Sequence, residues 1–304
     1  LVAPATPRSV GVPCDMDVAE PEAPRRAALA EWSCDERNPL TARVIVNRIW
    51  QHHFGKGIVN SPSDFGAMGI RPTHPELLDW LAAALIDNGW RLKSIHKLVL
   101  MSNTYRQSSA PNDAAIAVDA DARLLWRFPP RRLDMEPIRD SILYVTGELD
   151  LTMGGPGVKQ FSQTKGPQLT PALDYGAYNW SDASAGRRSI YRFVWRGIAD
   201  PFMEALDFPD LGLLSPTRGF SASALQSLAL YNNDFVLYES EALAKRVEGE
   251  ENSVEQQTVR AVQLVWLREI DAVECGAFVE FAKANGLAAL CRVLLNSNEF
   301  LFVD

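Results

Sequence analysis

From Asn38 to the C-terminus, apolar residues recur at three- and four-residue steps between recognisable start and stop residues. That period commits most of the chain to packed amphipathic helices. In the first clear case Asn38 is placed to cap, Pro39 suits the first helical position, and Ala42, Val46, Ile49, Trp50 and His53 share a face before Gly55 and Gly57. Thr73 and Glu76 predict a capping box, in which Thr73 accepts from a free backbone N–H and Glu76 reaches back. Leu77, Leu81, Ala84 and Leu85 follow on one face up to Gly89, and Ile95, Leu98 and Val99 carry the pattern into another helix. Met135, Ile138, Ile142 and Val145 mark a further helix closed by Gly147. Ser253 with Gln256 and Asp271 with Glu274 open two more, and Leu287, Leu290, Cys291, Leu294 and Leu295 form a final stripe. The expected fold is mainly α, a multi-helix globular domain over 25–304 behind an extended, Pro- and Ala-rich arm at 1–24.

One region breaks the rhythm. Residues 152–187 hold Gly154-Gly-Pro-Gly157 and the aromatics Tyr175, Tyr178 and Trp180 without a helical or strand period. A stretch this long without period is read as a long irregular central loop, functional or mobile. After it, Ile190, Tyr191, Phe193, Val194 and Trp195 predict a short β element near residues 189–195.

Composition narrows the function classes. With 304 residues, 47% of them hydrophobic and 22% charged, the chain can bury a substantial core. No segment approaches the roughly 20 apolar residues that cross a bilayer, and Leu1–Ser9 lacks the order of a signal peptide. A net charge of −8 repels phosphate backbones, so nucleic acid is not an expected partner. The basic residues are mostly Arg, whose planar fork suits fixed carboxylate pairs. Cys14, Cys34, Cys275 and Cys291 form no C-x-x-C, which removes a local zinc knuckle and covalent haem attachment. A Cys14–Cys34 bridge is open in an oxidising compartment, and Cys275 and Cys291 read as buried small hydrophobes. The Gly154–Lys159 segment lacks the Gly-Lys-Ser/Thr ending of a phosphate loop, and neither Gly-x-Ser-x-Gly nor His-Glu-x-x-His occurs.

Three groups of residues are candidates for chemistry. His52, His74 and Asp64, with His53, offer metal-ligand atoms, but neighbouring helix residues diverge by about 100°, so His52 and His53 do not readily share one ion and no metal is expected. Glu136 and Asp140, one turn apart amid Arg131, Arg132 and Arg139, could act as acid and base or form an ion-pair network. Arg106, Arg187 and Arg188 extend that cluster toward anion binding where the fold gathers them. Tyr175, Tyr178 and Trp180, interleaved with Asp174, Asn179 and Asp182, have the composition of a sugar-binding loop, or of rings that anchor a loop to the body.

Several blocks together resemble one known group, the C-terminal domain of unknown function in planctomycete proteins that often carry cytochrome-c-like modules upstream. The blocks are Asn38–Gly55, Ser61-Pro-Ser-Asp-Phe-Gly66, His74–Leu81, Ser102–Ser108, Arg131-Arg-Leu133 with Ile138-Arg-Asp140, Gly154-Gly-Pro156, Arg187–Tyr191, Leu225-Gln226 and Asn296–Phe300. The family's Asp-x-x-Asn-Arg run departs to Asp119-Ala-Asp-Ala-Arg123 here, and the Cys often found before the family's Arg is lacking near Leu213–Ser215. The resemblance implies an exported, periplasmic or extracellular parent protein with several domains and haem in an upstream module. It brings no established activity and no catalytic residue. The expectation is a binding or scaffolding module engaging glycan or a haem-bearing partner domain, without a cofactor in this chain. The alternative is a carbohydrate-acting hydrolase using the Glu136/Asp140 pair.

Overall fold

The helical periods are realised throughout a computed structural model, which describes residues 21–166, 171–213, 215–221 and 223–303. The chain is mainly helical, with only two small two-stranded sheets among the described residues. The described residues up to Pro130 form one compact unit and Arg131–Val303 a second.

The first unit contains α1 (Glu22–Cys34), α2 (Thr41–Phe54), α3 (Pro75–Asp87), α4 (Leu92–Leu100) and α5 (Asp113–Val118). Helices α2, α3 and α4 pack on one another through their apolar faces. Those faces bury Val46, Ile49, Trp50 and Phe54 on α2, Leu78, Leu81 and Leu85 on α3, and Ile95 and Val99 on α4. Trp50 stacks on Phe54 with ring centroids 4.3 Å apart, and Phe54, Tyr105 and Phe128 extend the aromatic packing beyond the helices.

Two helix starts differ from expectation. Asn38 Oδ1 accepts from the Leu40 amide at 3.0 Å, which closes a local turn and delays α2 to Thr41. The Thr73 capping box does not form. The Thr73 hydroxyl faces the Ile58 carbonyl at 3.4 Å, His74 becomes the N-cap residue, and no side chain caps α3.

The second unit begins with β1 (Arg131–Arg132) and α6 (Met135–Thr146), continues through β2 (Ser162–Lys165) and β3 (Pro171–Asp174), and ends in a helical layer. That layer comprises α7 (Pro201–Ala205), α8 (Ala224–Asn232), α9 (Asp234–Glu250), α10 (Val254–Trp266), α11 (Ala272–Asn285), α12 (Leu287–Leu295) and α13 (Asn298–Leu301), followed by β4 (Phe302–Val303). Its core joins Ile138, Ile142 and Leu143 of α6 to Phe235, Leu243 and Val247 of α9, Val262 of α10 and Leu290, Cys291 and Leu294 of α12. Burial pushes the Cys291 thiol up to about 12, so it sits in the core as an inert small hydrophobe. The predicted N-terminal signals at Ser253 and Asp271 are used: Ser253 Oγ accepts from Gln256 N and Asp271 Oδ1 from Val273 N and Glu274 N. Strand β4 returns antiparallel to β1, pairing Arg132 with Phe302.

The described residues of the central loop, which leave out 167–170, carry more regular structure than the sequence suggests. They include the antiparallel pair β2–β3 and a 3-10 turn at Ala183–Gly186. The β element expected at 189–195 is reduced to one bridge residue, Arg192, opposite Val158, because Ser189–Tyr191 forms a second 3-10 turn. The Ser189 amide donates to the Asp140 carboxylate at 2.7 Å and is lost to any strand ladder. Helix α1 starts at Glu22, inside the expected 1–24 arm, and the remainder of that arm, with Cys14 and its proposed bridge to Cys34, lies outside the described residues. No described helix is long and apolar enough to cross a membrane.

Candidate functional site

The Arg–carboxylate cluster is built on α6, whose apolar stripe buries one face while Glu136, Arg139 and Asp140 look toward other segments of the second unit. Arg139 is only 1% exposed, its guanidinium 5.2 Å over the Phe235 ring. It donates to the carbonyls of Ala185 and Arg187 and, at 3.3 Å, to the Ser189 hydroxyl. Burial pulls its pKa down to about 10, which leaves it charged at neutral pH. Asp140 lies beside it at 3.6 Å, takes the Ser189 amide, and sits 3.8 Å from Arg188. Arg139 and Asp140, adjacent on α6, thus pin the 185–189 turn to the helix.

Glu136 is engaged elsewhere. Both of its oxygens accept from Arg218, at 2.6 and 2.7 Å. Burial alone would raise its pKa, but the paired guanidinium outweighs that and holds it below the usual carboxylate range. A general acid needs the opposite shift, a proton retained near neutral pH. The same pattern repeats nearby. Arg132 binds Asp207 at 2.8 Å, and Asp207 also takes the Ser221 amide and Gln226 Nε2. Arg192 and Asp200 form a buried pair, and Asp200 in turn caps α7.

The aromatic loop turns inward. Tyr175 packs on Phe161 at 5.4 Å, and its hydroxyl points at the Ile198 carbonyl. Tyr178 meets Trp180 edge-on at 4.9 Å, and Trp180 leans on Phe235 in the core. Asp174 and Asp182 cap local turns through the amides of Gly176 and Ser184. Arg187 is a clamp: it donates to the carbonyls of Thr152 and Gly154 and stacks on Tyr191 at 4.1 Å, while the Gly154 amide donates to the Tyr191 hydroxyl at 2.6 Å. Gly154 and Gly155 both have φ near +85°, which suits glycine and explains the Gly-Gly-Pro run. Around the clamp Met153 is 71% exposed and Ile190 74%.

The remaining predicted residues lie in the first unit. Arg106 is exposed there. His74 Nδ1 is 2.9 Å from the Thr73 hydroxyl, Asp64 closes a turn on the Gly66 amide, and His53 Nε2 lies 2.8 Å from His96 Nδ1. Among the described residues no group of three or more His, Cys, Asp or Glu is arranged to hold a metal.

Sequence reasoning missed a cleft of about 570 Å³ in this unit, between α2, the 59–72 loop and α3. Arg43, Arg71 and Asp79 supply its charged groups, and Leu40, Phe65 and Ile70 are among its apolar walls. Its loop is tightly built. Buried Asn47 of α2 donates to the Val59 carbonyl at 2.9 Å and accepts the Val59 amide at 2.8 Å. Ser61 Oγ donates to the Asp64 carbonyl and accepts the Ile70 amide. A side chain at Gly69 would meet the Asp64 carbonyl oxygen at 2.2 Å, so only glycine fits there. Asn47→Leu is expected to cost about 2–3 kcal/mol in urea unfolding, because both Val59 groups lose their buried partners. Unchanged stability would mean that Asn47 does not hold the loop. The sequence signals were a polar residue on the apolar face of α2 and the paired glycines at 66 and 69.

A family model described as "Protein of unknown function (DUF1553)", PSD1, matches residues 25–282. No curated protein and no solved structure matches the chain.

Proposed function

We propose, from the premise that this chain belongs to that family of proteins of unknown function, that it is a binding or scaffolding module and not a hydrolase. The observation that carries the reading is the engagement of the two best acid–base candidates: Glu136 is held bidentately by Arg218, and Asp140 takes the Ser189 amide. Glu136, held below the usual carboxylate range, is not poised to protonate a leaving group, and Asp140 is committed to the 185–189 turn. The loop rings that could stack on a sugar pack on neighbouring rings of the second unit. What the clamp offers outward includes apolar groups, beside the partly exposed Arg188. Met153 and Ile190 stand exposed on a segment fixed by Arg187, Tyr191 and Arg139, a rigid surface suited to docking a partner domain.

The resemblance to planctomycete proteins with upstream cytochrome-c-like modules makes a haem-bearing domain of the same exported protein the partner to test first. In this reading the chain is periplasmic or extracellular and carries no cofactor of its own. A turnover screen over neutral and sulfated polysaccharides, with wild type beside Glu136→Gln, is expected to give no hydrolysis by either protein. Hydrolysis by the wild type that Glu136→Gln lacks would sink the reading and restore the carboxylate-pair enzyme.

A further inference from the structure

We infer that the cleft between α2, the 59–72 loop and α3 is a binding site for a carboxylate borne on a body with an apolar face. Arg43 is held on two sides. Its Nε donates to Asp79 at 2.6 Å and its Nη1 to the Pro39 carbonyl at 2.6 Å, which fixes the guanidinium plane and leaves Nη2 uncommitted among the described residues. Arg71, on the same cleft, has no hydrogen-bond or ion-pair partner among the described residues. Two guanidiniums against one carboxylate leave the cleft with a residual positive charge, on a chain whose net charge is −8. A planar fork fixed in advance loses little freedom when it binds an anion, and carboxylate matches its spacing.

The walls define the rest of the ligand. Phe65 is half-exposed and Ile70 exposed, and Leu40, Val59 and Leu78 also line the space, so an ion with no apolar surface would leave most of the lining unused. About 570 Å³ suits a small organic molecule or the end of a larger one. The loop that carries Phe65 is fixed before any ligand arrives, through Asn47, Ser61 and the close approach at Gly69. This site shares no residue with the Met153/Ile190 surface, so the failure of one reading leaves the other standing.

The test is calorimetric titration of the whole chain with phenylacetate beside phenylacetamide and glucuronate beside glucose. The acid of at least one pair is expected to bind about tenfold or more tightly than its neutral partner, one charge-assisted hydrogen bond being of that size. Arg71→Ala, an exposed substitution, should remove that preference while leaving the melting temperature unchanged. Preference for phenylacetate identifies an aryl or alkyl acid as the ligand type, and preference for glucuronate an acidic saccharide. Binding of neither acid, equal binding of acid and neutral partner, or a preference that survives Arg71→Ala overturns the inference.

Discussion

Replacing Arg139 by methionine is expected to lower the unfolding free energy by about 3–5 kcal/mol, the largest single loss outside the apolar core. Methionine nearly fills the volume, so the cost comes from what the guanidinium leaves behind. The carbonyls of Ala185 and Arg187 and the Ser189 hydroxyl would lose their charged donor inside the protein, at about 1–3 kcal/mol for each buried group left unsatisfied. Because those groups lie on the 3-10 turns that feed the Arg187 clamp, the 150–158 loop should loosen as well. Arg139→Lys keeps the charge but not the fork, so it should recover only part of the loss. Urea unfolding of the three proteins checks this, and a methionine variant within about 1 kcal/mol of wild type would show that the pin is dispensable.

The second large effect is one of pH. Glu239 lies on the buried stripe of α9, four residues from both Phe235 and Leu243, and is only 2% exposed. Burial pushes its pKa up from 4.5 to about 7; the neighbouring Glu148 adds to the rise, and Thr146 and Arg139 oppose it. One of its oxygens, Oε2, has no hydrogen-bond partner among the described residues. Between pH 4.5 and about 7 the folded chain keeps a proton that the unfolded chain releases. Stability therefore falls as pH rises through that window, by about 3 kcal/mol in all, and the penalty is complete above it. Glu239→Gln removes the titration. Its stability should be flatter from pH 5 to 8 and should exceed that of the wild type at the alkaline end. A wild-type curve and a variant curve that run parallel would contradict the assignment.

How much of this was legible follows from the range of each interaction. The helices were readable because their signal repeats every few residues: the Met135–Val145 stripe became α6, and Ser253 and Asp271 cap α10 and α11 as their local sequence predicts. Glu136 and Asp140 were recognisable as a charged group, but their partners were not. Arg218 stands 82 residues from Glu136, and the Ser189 amide 49 from Asp140. Sequence spacing on α6 carries no information about either, and those partners turn a plausible acid–base pair into two anchors.

The strand expected at 189–195 failed for the same reason. Its β-forming side chains are real, but Asp140 takes the Ser189 amide that a ladder requires, and Ser189–Tyr191 turns as a 3-10 helix instead. Glu239 escaped notice although a lone carboxylate within an apolar stripe is a visible anomaly. The cleft of the first unit was hidden because Ser61, Asp64, Gly66 and Gly69 build local turns, and such residues carry no sign of the helices their loop packs beside.

Amide hydrogen exchange on wild type, Glu136→Gln and Asp140→Ala tests most directly whether these carboxylates hold the chain together instead of working on a substrate. Asp140→Ala should speed exchange across 185–192, where its acceptor is lost, and Glu136→Gln across 215–221, where Arg218 is released. Unchanged protection in both segments would contradict the anchoring role and return Glu136 and Asp140 to the list of groups free to do chemistry.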